Sequence, residues 1–342
     1  MREIKPSTLA RQVVRKLRAD VNSMIWGGPG IGKSDIVNQL GITLSKDVLD
    51  LRANLFDPVD VRGVPHIVKD AAQSVTEWAV PSIFPTEEDG KGGILFIDEL
   101  PAAPPATQNA FLQLLLTGQL GEYKLPSGWG IVAAGNRLSD KAAVFQMPAP
   151  VKNRFAHFEL APNLEDWCKW AAKKGVEDSI ISFLRMKSDL LYSFHPDDNA
   201  FPTPRTWEFV DKSLKLGYNE PNSEDNEDDK YYDVASLVGD GPAGEFLTFL
   251  EYREKMPDID NLLKEPNSFK VDKHEVSIMY AVCGALAARA SVETCPNICK
   301  IADKMDPEFQ IILMRDALHR EEQFKFQPDF KNWAAKNATV IL

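Results

Sequence analysis

The strongest chemical signal in the chain is the run Gly27-Gly28-Pro29-Gly30-Ile31-Gly32-Lys33-Ser34. The spacing G-x-x-x-x-G-K-S has a mechanical reason. Glycines let the backbone turn so that successive N–H groups point at one spot, and phosphate is the anion such a cradle takes. Lys33 would reach the β- and γ-phosphates of a nucleotide, and the Ser34 hydroxyl would ligate Mg²⁺. A helix opening behind the loop would add its positive dipole end. The second signal is Ile94-Leu95-Phe96-Ile97-Asp98-Glu99, an apolar run closed by two acids. Asp98 would hold Mg²⁺, directly or through water, and Glu99 would orient and deprotonate an attacking water. Asn136 ends the run GIVAAG and offers an amide to a γ-phosphate or to that water. Arg154, in Val-Lys-Asn-Arg-Phe, and Arg205, in Phe-Pro-Thr-Pro-Arg, are of the type that meets γ-phosphate charge in a transition state.

These residues need a scaffold, and the hydrophobic pattern predicts one. Leu9, Val13, Val14 and Leu17 recur at helical spacing, with Arg11, Arg15, Lys16 and Arg18 elsewhere on the turn. Short apolar strands are expected at 24–26, 48–56, 94–98, 130–134 and 155–160. Helices are expected between them, one with Ile36, Val37, Leu40 and Leu44, another opened by Pro104-Pro105 and stopped near Gly118. Strands that alternate with helices and are apolar throughout describe an α/β parallel sheet covered on both faces. The acids of the second signal would then stand at the carboxyl end of a central strand, where such sheets bind ligands. His66–Lys69 and Ser74–Trp78 alternate as a hairpin would, turning across Asp70-Ala71-Ala72-Gln73. After residue 160 the pattern is helical, at 163–174, 177–187, 203–216, 243–256 and 274–291, with no convincing strand and no internal repeat.

Composition narrows the function classes. The 342 residues are 44% hydrophobic and 26% charged, an ordinary globular balance with room for about two domains. The net charge of −11 argues against a globally basic nucleic-acid binder. Much of the excess lies in Glu220, Glu224, Asp225, Glu227, Asp228 and Asp229, which reads as a solvated loop or linker. No apolar run reaches membrane-span length, and no signal core follows the basic N-terminus, so a cytoplasmic chain is expected. Cys168, Cys283, Cys295 and Cys299 lack metal-site spacing and read as small buried thiols of a reducing compartment.

Taken together, the motifs resemble those of AAA+ ATPases, and more narrowly the MoxR group. Asp57-Pro58-Val59-Asp60-Val61-Arg62-Gly63 is similar to that group's D-x-x-P-x-D-x-x-G stretch, with the proline shifted. Trp78-Ala79-Val80-Pro81-Ser82-Ile83-Phe84-Pro85 is similar to the end of its hairpin insert. Asp98-Glu99, Pro101, Pro105, Thr107-Gln108 and Gly118-Gln119-Leu120 follow its next block, and Met147–Phe155 resembles its L-P-x-A-Q-x-D-R-F. Thr203-Pro204-Arg205 resembles its S-P-R. The likeness covers roughly residues 10–216. It implies a P-loop AAA+ core with a five-stranded sheet over 1–160 and an α-helical lid over 161–217; beyond it, 218–342 reads as an acidic linker and C-terminal helical region outside the resemblance. It implies ATP and Mg²⁺ as cofactors, with Gly28, Pro29, Gly30, Ile31, Gly32, Lys33 and Ser34 holding nucleotide. Arg154 becomes the finger reaching a neighbouring subunit, and Arg205 the lid arginine, sensor 2, touching the γ-phosphate in its own. Arg137 stands where the group usually has proline and is a second candidate for the trans role. The implied assembly is a homo-oligomeric ring, a hexamer, that remodels a client protein, with a von Willebrand A domain protein as the partner class. A nucleic-acid motor on the same core is the alternative, with Arg62 and Lys69 as its basic contacts. A nucleotide-gated scaffold is a third, against which the intact Asp98-Glu99 pair speaks.

Overall fold

The computed structural model describes all residues except 1, 71–72, 90–91, 121–122, 141–143, 217–226, 271–274 and 338–342. It divides into two compact units, Met1–Ala161 and Pro162–Leu342.

The first unit is α/β. In chain order it holds β1 Glu3–Ile4, α1 Pro6–Arg18, β2 Ser23–Trp26, α2 Lys33–Leu44, β3 Asp47–Arg52, α3 Pro58–Arg62, β4 Val64–Asp70, β5 Gln73–Ala79 and β6 Gly93–Asp98. Then come α4 Pro105–Ala110, α5 Leu112–Thr117, β7 Gln119–Leu120, β8 Tyr123–Lys124, β9 Gly130–Gly135, α6 Ala149–Lys152 and β10 Ala156–Leu160. The main sheet has six strands in the order β1-β10-β2-β9-β6-β3, all parallel. Five were expected; the sixth, β1, is a two-residue edge strand, too short to leave a periodic trace.

Alternation along the central strands covers both faces. Met24, Leu95, Ile97, Ile131 and Ala133 join one hydrophobic cluster with Phe111, Leu114 and Val151. Their neighbours Ile25, Ile94, Phe96, Val132 and Ala134 are fully or almost fully buried outside that cluster, as are Leu9 and Val13 of α1 and Val37 and Leu40 of α2. The strand expected at 48–56 ends at Arg52, where the chain tightens into a 3₁₀ turn over Ala53–Leu55. The helix after Pro105 is interrupted at Phe111, whose ring is fully buried. β4 and β5 pair antiparallel from Val64↔Ala79 to Asp70↔Gln73, and Val64, Ile67 and Trp78 on them stay exposed. The middle of the expected turn, residues 71–72, lies outside the described residues.

The second unit is helical among the described residues: α7 Leu164–Lys174, α8 Asp178–Met186, α9 Pro204–Leu216, α10 Glu227–Val238, α11 Asp240–Glu254, α12 Ile259–Lys264, α13 Val276–Ala288, α14 Cys295–Ala302, α15 Pro307–Arg320 and α16 Pro328–Lys336. One core runs from Trp167 to Trp333, so residues on both sides of the segment 217–226 share it. α13 is buried continuously from Ile278 to Ala287 and is the helix the others surround. Its approach to α8 requires glycine: a Cβ on Gly284 would lie 1.8 Å from Ser182 Oγ. Most of the acidic stretch falls outside the described residues, and residues 227–229 open α10 instead of continuing a loop. All four cysteines are buried. No helix among the described residues is long and apolar enough to cross a membrane.

Candidate nucleotide site

Strand order decides what can meet. β9 lies between β2 and β6, so the carboxyl ends of these three strands are neighbours at sheet spacing, about 4.8 Å apart. Trp26 pairs with Gly135, and Ile97 with Ala133. The phosphate loop, Asn136 and the Asp98-Glu99 pair therefore leave the sheet side by side.

The loop runs from Gly27, whose N–H donates to the Gly135 carbonyl at 3.3 Å, to Lys33, the first residue of α2. Gly30 and Gly32 have φ of 69° and 97°, the left-handed region that side chains disfavour. Gly32 caps the twelve-residue α2 without a side chain, so the first-turn N–H groups face an open end. Lys33 Nζ donates to the carbonyls of Gly27 at 2.7 Å and Gly28 at 3.0 Å, and to Asn136 Oδ1 at 2.7 Å. Three oxygens thus surround the ammonium, in the manner that phosphate oxygens would. Ser34 Oγ donates to Asp98 Oδ2 at 2.8 Å, a pair of hard oxygen donors of the kind Mg²⁺ selects.

Asp98 Oδ1 accepts the Glu99 backbone N–H at 2.9 Å. Glu99 itself sits at φ 53°. A left-handed conformation costs a non-glycine residue on the order of 1–3 kcal/mol and concentrates at functional sites. The Glu99 carboxylate is half-buried and accepts no hydrogen bond among the described residues. Asp50 on β3 is a further acid here that the motifs do not reveal. Partial burial, together with the negative charge of Asp98, raises its carboxyl above the ordinary value. The only sequence signal for it is a carboxylate between the apolar Leu49 and Leu51.

The three arginines differ. Arg137 Nε lies 2.8 Å from Glu159 Oε1 and its Nη2 3.6 Å from Glu3 Oε1, so its charge is met within its own chain by β10 and β1. Arg154, in the turn between α6 and β10, is exposed and its side chain has no hydrogen bond or ion pair among the described residues. Arg205, in the first turn of α9, is likewise exposed and unpaired, and belongs to the second unit. Thr107 and Gln108 are fully buried and structural: Thr107 Oγ1 donates to the Phe56 carbonyl and Gln108 Nε2 to that of Ala103.

No family profile matches the chain, and no curated protein does. Among solved structures, a RuvB mutant from Thermotoga maritima is similar at TM-score 0.40 and 15% identity, over 80% of this chain and 79% of that one. NtrX from Brucella abortus in complex with ATP is similar at TM-score 0.41 and 16% identity, over 91% of this chain and 67% of the other. A putative ATPase from Cytophaga hutchinsonii gives TM-score 0.34 and 12% identity, over 92% and 81%. These are distant likenesses, each with a TM-score below 0.5.

Proposed function

We propose that the chain is a Mg²⁺-dependent ATPase of the AAA+ class, of MoxR type, that assembles as a hexameric ring and remodels a partner protein. The observation that carries this is the double juxtaposition of Lys33 with Asn136 and of Ser34 with Asp98, joining residues far apart in sequence at one sheet edge. Lys33 exchanges its carbonyl partners for β- and γ-phosphate oxygens. Ser34 and Asp98 would hold Mg²⁺, which would supply charge at those oxygens. Glu99, whose carboxylate has no hydrogen bond among the described residues, takes the proton of the attacking water. Asn136 orients that water or the γ-phosphate. Arg154 reaches a neighbouring subunit's nucleotide, and Arg205 acts on its own subunit's. The domain plan that accompanies this reading is a core at 1–160, a lid at 161–217 and a further helical region at 218–342. The partner class is a protein with a von Willebrand A domain.

Glu99→Gln keeps the side chain's shape and removes the proton acceptor. This variant is expected to bind ATP with Mg²⁺, to turn it over about 10²–10⁴ times more slowly, and to hold the assembled ring. Pull-down of the ATP-loaded variant, with bound molecules identified, tests the rest. Capture of a protein supports remodelling; salt-dependent capture of DNA instead makes the chain a nucleic-acid motor. Wild-type turnover by the variant removes Glu99 from its role.

A further inference from the structure

The phosphate site leaves one side chain at its edge unused. Trp26 is the last residue before the loop, on the strand flanked by β9 and β10. Its indole Nε1 donates to His157 Nδ1 at 2.9 Å, and the two rings lie side by side with centroids 6.1 Å apart and planes 18° from parallel. An indole N–H can only donate, so His157 Nδ1 is an acceptor and the ring proton sits on Nε2. Nε2 then donates to the Lys152 carbonyl at 2.8 Å. Both imidazole nitrogens are committed, one to the strand that feeds the phosphate loop, the other to the end of α6.

Lys152 stands two residues before Arg154. The rest of that turn is pinned as well. Val151 is fully buried, and Phe155 is buried with its ring edge-on to His157 at 6.2 Å. Asn22 Nδ2 donates to the Arg154 carbonyl at 3.3 Å and to the Leu115 carbonyl at 2.9 Å. The backbone around Arg154 is held on every side while its side chain is left exposed and free among the described residues.

We infer that Trp26 and His157 are positioning residues for Arg154. They tie the strand that carries a subunit's own phosphate loop to the turn that offers its arginine to a neighbour. This rests on the reading of Arg154 as a finger in trans. An aromatic pair that served only to fill space would need neither nitrogen. A displacement of about 1 Å at a reacting group costs on the order of 10²-fold in rate, so a tether of this kind has a measurable effect.

The test separates the tether from the finger. Lys33→Ala subunits cannot bind nucleotide but still present Arg154; Arg154→Ala subunits bind nucleotide but lack it. Mixing the two, with co-assembly shown by native mass spectrometry, gives a recovered ATPase rate that depends only on fingers delivered between subunits. Trp26→Phe, His157→Phe or His157→Gln is then added to the Lys33→Ala subunit alone, each variant first shown to melt well above the assay temperature. Trp26→Phe and His157→Phe are expected to lower the recovered rate about tenfold or more. His157→Gln, whose amide can accept from the indole and donate to the carbonyl, is expected to restore most of it. Equal recovery with all four finger donors, at equal co-assembly, overturns the positioning role and leaves the finger standing. No recovery even with the Trp26–His157 pair intact overturns the finger in trans, and the tether with it.

Discussion

The two units handle charged side chains in opposite ways. In the first, Lys33 with Asn136 and Ser34 with Asp98 gather at the carboxyl ends of neighbouring strands, half-buried, in pairings that a phosphate or a metal can replace. In the second, Arg185 is sealed inside the helical core with its side chain 3% exposed. Its Nε donates to Asp316 Oδ2 at 2.8 Å and its Nη1 to Glu165 Oε1 at 2.6 Å, with Arg315 also on Glu165 and His319 beside Asp316. Burial pushes the adjacent Cys168 thiol up to about 12, which makes it inert. A buried arginine that donates to Glu165 and Asp316 is a cross-brace between α7, α8 and α15. Arg154 and Arg205, exposed and without a partner among the described residues, have their charge available.

The sharpest way to break this contrast is within the first unit. Arg154→Ala is expected to cut ATP hydrolysis by roughly 10³–10⁵ while leaving nucleotide binding largely intact, the range for a finger supplied in trans. Arg137→Ala, which removes a partly exposed ion pair with Glu159 and Glu3, is expected to cost less than about tenfold. Steady-state ATPase rates and calorimetric affinities for both variants make the comparison. A steeper loss for Arg137→Ala reverses the assignment of the finger.

The second unit should break differently. Removing Arg185 leaves Asp316 buried and facing no arginine, which is destabilising by about 3–5 kcal/mol for a broken buried pair. Arg185→Met fills similar space without the charge. Chemical denaturation is expected to show that loss, and nucleotide affinity of the folded fraction is expected to be unchanged. A variant as stable as the parent would mean that the network contributes nothing.

What the sequence revealed follows the same division. The phosphate loop was legible because its backbone turn and its ligands are contiguous, and Asp98 and Glu99 because a buried strand ending in two acids is a local pattern. The main helices and strands were legible from apolar periodicity. The links were not. Trp26 and His157 are 131 residues apart, and so are Arg185 and Asp316. No local rule pairs such residues, since each is an ordinary core or surface type in its own segment. Asp50 was hidden for the same reason: its proximity to Asp98 follows from β3 lying against β6. β1, α12 and α14 were missed because two to eight residues carry too little periodic signal, and the longer α10, α15 and α16 were not placed either.

The smallest expected effect is on pH dependence, and it discriminates between a paired and an unpaired buried acid. Burial alone would raise the Asp316 carboxyl, but His319 and Arg185 outweigh it and hold it below the ordinary value. Glu165 is held down likewise, against its partial burial, by Arg185 and Arg315. A depressed folded-state value means that the stabilisation is fully present above the unfolded-state value, about 4, and is lost as pH falls through the folded one. Without Arg185 the sign for Asp316 moves the other way, because a buried carboxyl short of partners binds its proton more tightly. The stability gap between the parent and Arg185→Met is therefore expected to be widest near neutrality and to narrow as pH falls from about 5 to 3, by at most about 1.4 kcal/mol per pH unit for one proton. Denaturation midpoints of the two proteins, converted to free energies at each pH, measure the gap. If the curves stay parallel across that window, the Asp316 carboxylate is not what Arg185 holds, and the cross-brace is packing alone.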